Sequence, residues 1–119
     1  MMRAALYLAV ATLLSAPAFA HAVLERADPP VGSEVNSIPQ QLVLTFSEGV
    51  EPLFTTVQLR DPSGKDLPIG KPRTEHGNDK NLVVQLPSSL GLGKYTVIWH
   101  ATSVDTHKTE GSFQFTIVK

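Results

Sequence analysis

The sequence predicts an all-β fold: a Greek-key β-sandwich of about seven strands. Three observations predict it. Apolar residues after position 20 recur with period two, not 3.6. No segment there offers a helix-length run of helical periodicity. Turn signals built on Pro, Gly, Asp and Ser interrupt the chain at short, fairly even intervals.

The elements follow in order. Pro29-Pro30-Val31-Gly32 reads as a turn. Leu42, Leu44 and Phe46 alternate with Val43, Thr45 and Ser47, a half-buried strand. Val57 and Leu59 alternate with Gln58 and Arg60 in the next. Asp61-Pro62-Ser63-Gly64 has the residues of a type I turn. The Pro-, Gly- and charge-rich stretch from Leu67 to Lys80 reads as a long loop crossing between sheets, with room for a short strand near Leu67. Leu82-Val83-Val84-Gln85-Leu86 has the continuous apolar character of a buried strand. After the break at Gly91-Leu92-Gly93, Tyr95, Val97, Trp99 and Ala101 share one face. Phe113, Phe115 and Ile117 do the same near the end. Trp99 and Tyr95 belong in the core, each needing a partner for its polar atom.

The first twenty residues have a different character. Sixteen are apolar and Arg3 is the only charge. A run from Ala4 to Leu14 precedes Pro17 and Ala18-Phe19-Ala20. Basic start, short apolar run and small-x-small ending together make a cleavable secretory signal. The run is too short for a membrane-spanning helix, which needs about 20 apolar residues. Cleavage after Ala20 removes twenty of the 119 residues and leaves a 99-residue domain, 21–119. Nine basic residues then face eleven acidic ones, and both methionines are gone with the leader. Export to the periplasm as a soluble protein is expected, with no membrane span after the cut.

Composition excludes several chemistries. The chain has no cysteine, so disulfides, thiolate metal sites, iron–sulfur clusters and a cysteine nucleophile are all absent. A near-neutral charge without a basic patch argues against nucleic acid as a partner. No glycine-rich phosphate loop and no Ser-His-Asp spacing is present.

Two features offer metal chemistry. Cleavage makes His21 the first residue, with a free α-amine. Amine nitrogen and imidazole Nδ1 of one residue then close a six-membered chelate ring on a metal ion. The second feature is Ser103-Val104-Asp105-Thr106-His107. In extended chain Asp105 and His107 point to the same side, so a carboxylate and an imidazole can meet one ion. Together these residues supply an amine nitrogen, two imidazole nitrogens and a carboxylate oxygen. That sulfur-free set suits tetragonal Cu(II). Such ligands must lose protons to bind, so affinity should fall as pH falls.

The same residues resemble a known family, the periplasmic copper-resistance proteins CopC and PcoC. The likeness spans nearly the whole exported chain. It rests on His21-Ala22-Val23-Leu24, Asp28-Pro29-Pro30-Val31-Gly32-Ser33, Leu42 to Val50, Gly93 to Trp99 and Ser103 to Lys108. The resemblance implies a cupredoxin-like or immunoglobulin-like sandwich that binds one Cu(II) ion through His21, Asp105 and His107. It also implies that Glu48, in Phe46-Ser47-Glu48, supports the terminal histidine by a hydrogen bond. The founding members carry a methionine-rich Cu(I) segment, and residues 21–119 hold no methionine, so only the Cu(II) site is expected. The family implies a carrier or buffer in copper homeostasis and resistance, not an enzyme. It also implies a separate CopD-like inner-membrane partner, and a monomer is expected.

His76 lies in a polar loop and reads as a surface residue. His100 lies on the strand face opposite Trp99 and reads as a partly exposed strand residue. Two other functional classes share part of this pattern. A copper-dependent oxygenase, similar to lytic polysaccharide monooxygenases, would use the terminal histidine as a brace. Its likeness is confined to the terminus, and a carboxylate ligand would fill a position that oxygen chemistry needs open. A metal-free interaction module would need neither His21 nor Asp105.

Overall fold

The computed structural model describes residues 21–119. The expected leader, 1–20, lies outside the described residues. The fold is a two-sheet β-sandwich, as expected. Its strands are β1 (Leu24–Asp28), β2 (Glu34–Val35), β3 (Gln41–Phe46), β4 (Thr56–Arg60), β5 (Asp66–Leu67), β6 (Arg73–Glu75), β7 (Asn78–Gln85), β8 (Gly93–Thr102) and β9 (Lys108–Ile117). Among the described residues nine strands form where about seven were expected; β2 and β5 are two residues each, and β5 is the short strand for which the sequence left room near Leu67. A single 3-10 turn, Pro52–Phe54, precedes β4.

One sheet has the order β1-β3-β7-β6 and the other β2-β9-β8-β4-β5. The chain passes repeatedly from one sheet to the other, and β2 lies parallel to β9. Alternation sets the inward faces. Val57 and Leu59 are buried while Thr56, Gln58 and Arg60 are exposed. Leu42, Leu44 and Phe46 face Val97, Trp99, Phe113 and Phe115 in one apolar cluster. Phe46 of the first sheet meets Trp99 of the second edge-to-face, with centroids 5.2 Å apart. Tyr95 stacks on Phe115, and its hydroxyl donates to the Gly91 carbonyl at 2.9 Å. Trp99 Nε1 is buried with no acceptor among the described residues, so the partner expected for it is not found there.

Turn chemistry works as read from the sequence at two sites. Gly32 adopts a left-handed φ of 74° and donates its N–H to the Gln114 carbonyl. Asp61 Oδ1 accepts from the Ser63 N–H, the Ser63 hydroxyl and the Lys65 N–H, closing the turn on itself. The long loop expected from Leu67 to Lys80 needs correction. Residues 73–80 belong to a hairpin in which Glu75 pairs with Asn78, and only the stretch between β5 and β6 crosses between sheets. Gly77, at φ 80°, permits that tight reversal. The strand residues of β6 are polar and none is buried, so apolar alternation could not reveal them.

The β8–β9 hairpin positions the site. Its ten paired positions run from Gly93–Ile117 to Thr102–Lys108, and the closing loop is 103–107. The end of β3 reaches the same edge of the molecule, because Val50 bridges Ser103 and the Gly49 carbonyl accepts the Val104 N–H. Residues 21–23, the end of β3 and the hairpin loop thus converge at one end of the sandwich.

Candidate metal centre

The loop Ser103 to His107 is organised from within. Ser103 is fully buried. Its hydroxyl donates to Asp105 Oδ1 and accepts the His107 N–H. The Ser103 N–H donates to the His107 carbonyl at 2.8 Å, and Thr106 N–H donates to the Ser103 carbonyl at 2.8 Å. Thr106 takes a left-handed φ of 73°, an uncommon conformation for a β-branched residue. That twist turns Asp105 and His107 toward each other: Asp105 Oδ1 lies 3.1 Å from His107 Nδ1.

The Ser103 hydrogen bond, and then the contact with His107, lower the Asp105 carboxyl to a pKa of about 2. The group is therefore an anion throughout the neutral range. It offers negative charge and oxygen donors beside an imidazole.

His21 comes to this loop from the opposite end of the sequence. Its ring stands edge-to-face with His107, centroids 5.1 Å apart and planes at 86°. A metal–nitrogen bond of about 2.0 Å puts an ion about 3 Å from each ring centre, so two imidazoles sharing an ion have centroids about 4.4–6.2 Å apart. The observed spacing falls inside that window. Among the described residues, no three His, Asp or Glu side chains stand close enough together to hold a metal ion by themselves. Side chains alone leave the set short of donors. His21 nitrogen is here joined to Ala20 as a peptide amide, and cleavage of that bond would supply an amine.

Glu48 is half-buried and follows Ser47 directly. Ser47 hydrogen-bonds residues 21–23: its hydroxyl donates to the His21 carbonyl at 3.0 Å. The two other histidines stay apart from the site. His100 Nε2 lies 3.5 Å from Glu110 Oε1 on an exposed strand face, and His76 is exposed in the β6–β7 turn. Ser103, Ser47 and Thr109 are the site residues that sequence reasoning passed over. A serine two residues before an aspartate is a recognised local hydrogen-bonding pattern, and Thr109 stands near the start of β9, two residues after His107.

The CopC domain family model matches residues 24–118. Copper resistance protein C of Pseudomonas syringae pv. tomato is 35% identical over 114 residues, covering 92% of this chain and 90% of its own length. Protein YobA of Escherichia coli (strain K12) is 35% identical over 116 residues, covering 98% and 94%. The crystal structure of CopC from Methylosinus trichosporium OB3b superposes with a TM-score of 0.76 at 28% identity, covering 82% of this chain and 93% of that one.

Proposed function

The chain belongs to the CopC family, and from that premise we propose that it is a Cu(II)-binding protein of the periplasm. Handling copper is the family's business: its relatives are named as copper-resistance proteins. The finer reading is that one Cu(II) ion is held by the amine and Nδ1 of a processed His21, by His107 and by Asp105. The observation that carries it is the meeting of His21 and His107, 86 positions apart in sequence, with ring centroids 5.1 Å apart beside an ionised carboxylate.

The chain's residues would act as follows. His21 offers two nitrogens from one residue, so the second costs little further ordering. Asp105 supplies negative charge that offsets part of the ion's desolvation. Glu48 would hold the terminal histidine once the amine is free, as an outer-shell carboxylate orients a ligating imidazole. With no thiolate or thioether in residues 21–119, the set favours Cu(II) over Cu(I). Its role is carrier or buffer rather than catalyst, as a monomer, exchanging copper with a CopD-like inner-membrane protein.

The test compares the chain beginning at His21 with one bearing a single extra residue before it. Cu(II) titration against a chelator of known affinity should show tight one-to-one binding by the first. The extended form should lose at least a hundredfold in affinity while its unfolding midpoint stays the same. Electron paramagnetic resonance of the first should give one tetragonal Cu(II) signal. Equal affinity of the two forms sinks the terminal chelate.

A further inference from the structure

The backbone of residues 21–23 is tied at four points. The Ser47 hydroxyl donates to the His21 carbonyl at 3.0 Å and accepts the Val23 N–H at 2.9 Å. The Ser47 N–H donates to the Val23 carbonyl at 2.8 Å. From the other side, the Thr109 hydroxyl donates to the Ala22 carbonyl at 2.7 Å. Between these ties the Ala22 methyl is fully buried in the core cluster.

The two anchors come from different sheets. Ser47 follows the last residue of β3, and Thr109 is the second residue of β9. The Thr109 hydroxyl that holds Ala22 comes two residues after His107, whose imidazole faces His21. Three of the four bonds use a side-chain hydroxyl rather than the regular backbone ladder. Any residue but proline would continue the ladder at Ser47, whereas the single hydroxyl oxygen both donates to residue 21 and accepts from residue 23. A loose three-residue terminus would have to be ordered when an ion binds, and a held one would not.

We propose that Ser47 and Thr109 are positioning residues that clamp the terminal segment to both sheets and so hold His21 over His107 before copper arrives. The clamp deepens the copper reading above and rests on it. It acts through His21 and does not itself touch the ion.

The test uses the chain beginning at His21 with S47A, S47T, T109V and T109S. In the metal-free protein, amide hydrogen exchange at Val23 should quicken about tenfold in S47A and stay near the parent rate in S47T. Cu(II) affinity should fall about tenfold in S47A and in T109V, and return to within about twofold in S47T and T109S. Added to the form extended before His21, S47A should cause no further loss, because the chelate it positions is already gone. Electron paramagnetic resonance of S47A should show a broadened, mixed Cu(II) signal. Unchanged affinity in both S47A and T109V, in folded protein, overturns the proposal. So does an equal fall in the extended form, which would mark a merely structural role. If S47A fails to fold, T109V against T109S decides. A parent chain that does not bind Cu(II) overturns the copper reading instead, and Val23 exchange then still reports whether the clamp exists.

Discussion

Ser103 carries no charge and no exposed surface, yet it sets the chemistry of the residues beside it. Its hydroxyl is the largest cause of the low Asp105 pKa, about 2. Replacing Ser103 by alanine should move that titration upward toward the usual carboxylate range, followed by NMR of the side-chain carboxyl. An unmoved titration would show that another group holds the charge. Two glycines give a contrasting pair. A Cβ on Gly111 would lie 2.6 Å from Trp99 Cζ2, within a packed core. Gly111→Ala should destabilise by about 1–3 kcal/mol, read from thermal unfolding by the fluorescence of the single tryptophan. On Gly49 the obstacle is the end of the Asp79 side chain at 2.5 Å, which can turn aside, so Gly49→Ala should cost much less. At this scale the sequence made Asp105 and His107 visible as two ligand-type residues closely spaced, although a turn at Thr106, and not the extended chain expected, brings them together. Ser103 and Ser47 stayed hidden, since their bonds depend on loop conformations such as the left-handed Thr106 that no periodic pattern encodes.

Elements differ in how openly their residues declare them. β4, β8 and β9 bury one face each, so alternation revealed them. β6 has no buried residue, and its register is fixed by pairing with β7 instead of by burial. The Asp61 turn was readable because its stabilisation is local. Bonds from the Ser63 hydroxyl, and then from the Lys65 and Ser63 N–H groups, lower the Asp61 pKa from its ordinary 3.8. A depressed carboxylate stabilises the folded state above its unfolded pKa, and that contribution is lost as pH falls through the folded value. Asp61→Ala should therefore lower the unfolding midpoint at pH 7. The gap from the parent should close as the pH drops from about 3.8 downward. A gap that persists at acid pH would assign the effect to the hydroxyl and amide geometry rather than to charge. In β3, Leu44→Ala should cost about 2–5 kcal/mol, because Leu44 is fully buried between the sheets.

The whole molecule is a sandwich whose two sheets meet the proposed ligands at one end. His21 is tied through Ser47 to the first sheet and through Ala22 to the second, while Asp105 and His107 close the β8–β9 hairpin of the second. An ion bound there should stabilise the global fold and not merely a loop. With free Cu(II) at one hundred times its Kd, the gain is about 2.7 kcal/mol. Thermal unfolding of the processed chain should rise accordingly, fall back when a chelator strips the metal, and respond weakly in the extended form. The gain should shrink as pH drops, because protons compete for the amine and imidazole nitrogens.

Antiparallel pairing of β8 with β9 also fixes where the polypeptide leaves. The hairpin loop lies at the end of the proposed copper site, so Ile117, paired with Gly93, lies ten strand positions away, about 30 Å along the sheet. The molecule is thus polar in its wiring, with the proposed ligands at the head and Ile117 at the opposite pole. Tethering by the tail, to a bead, a surface or a second domain, leaves the head facing outward. A tag on the front would occupy the very nitrogen that the proposed chelate requires.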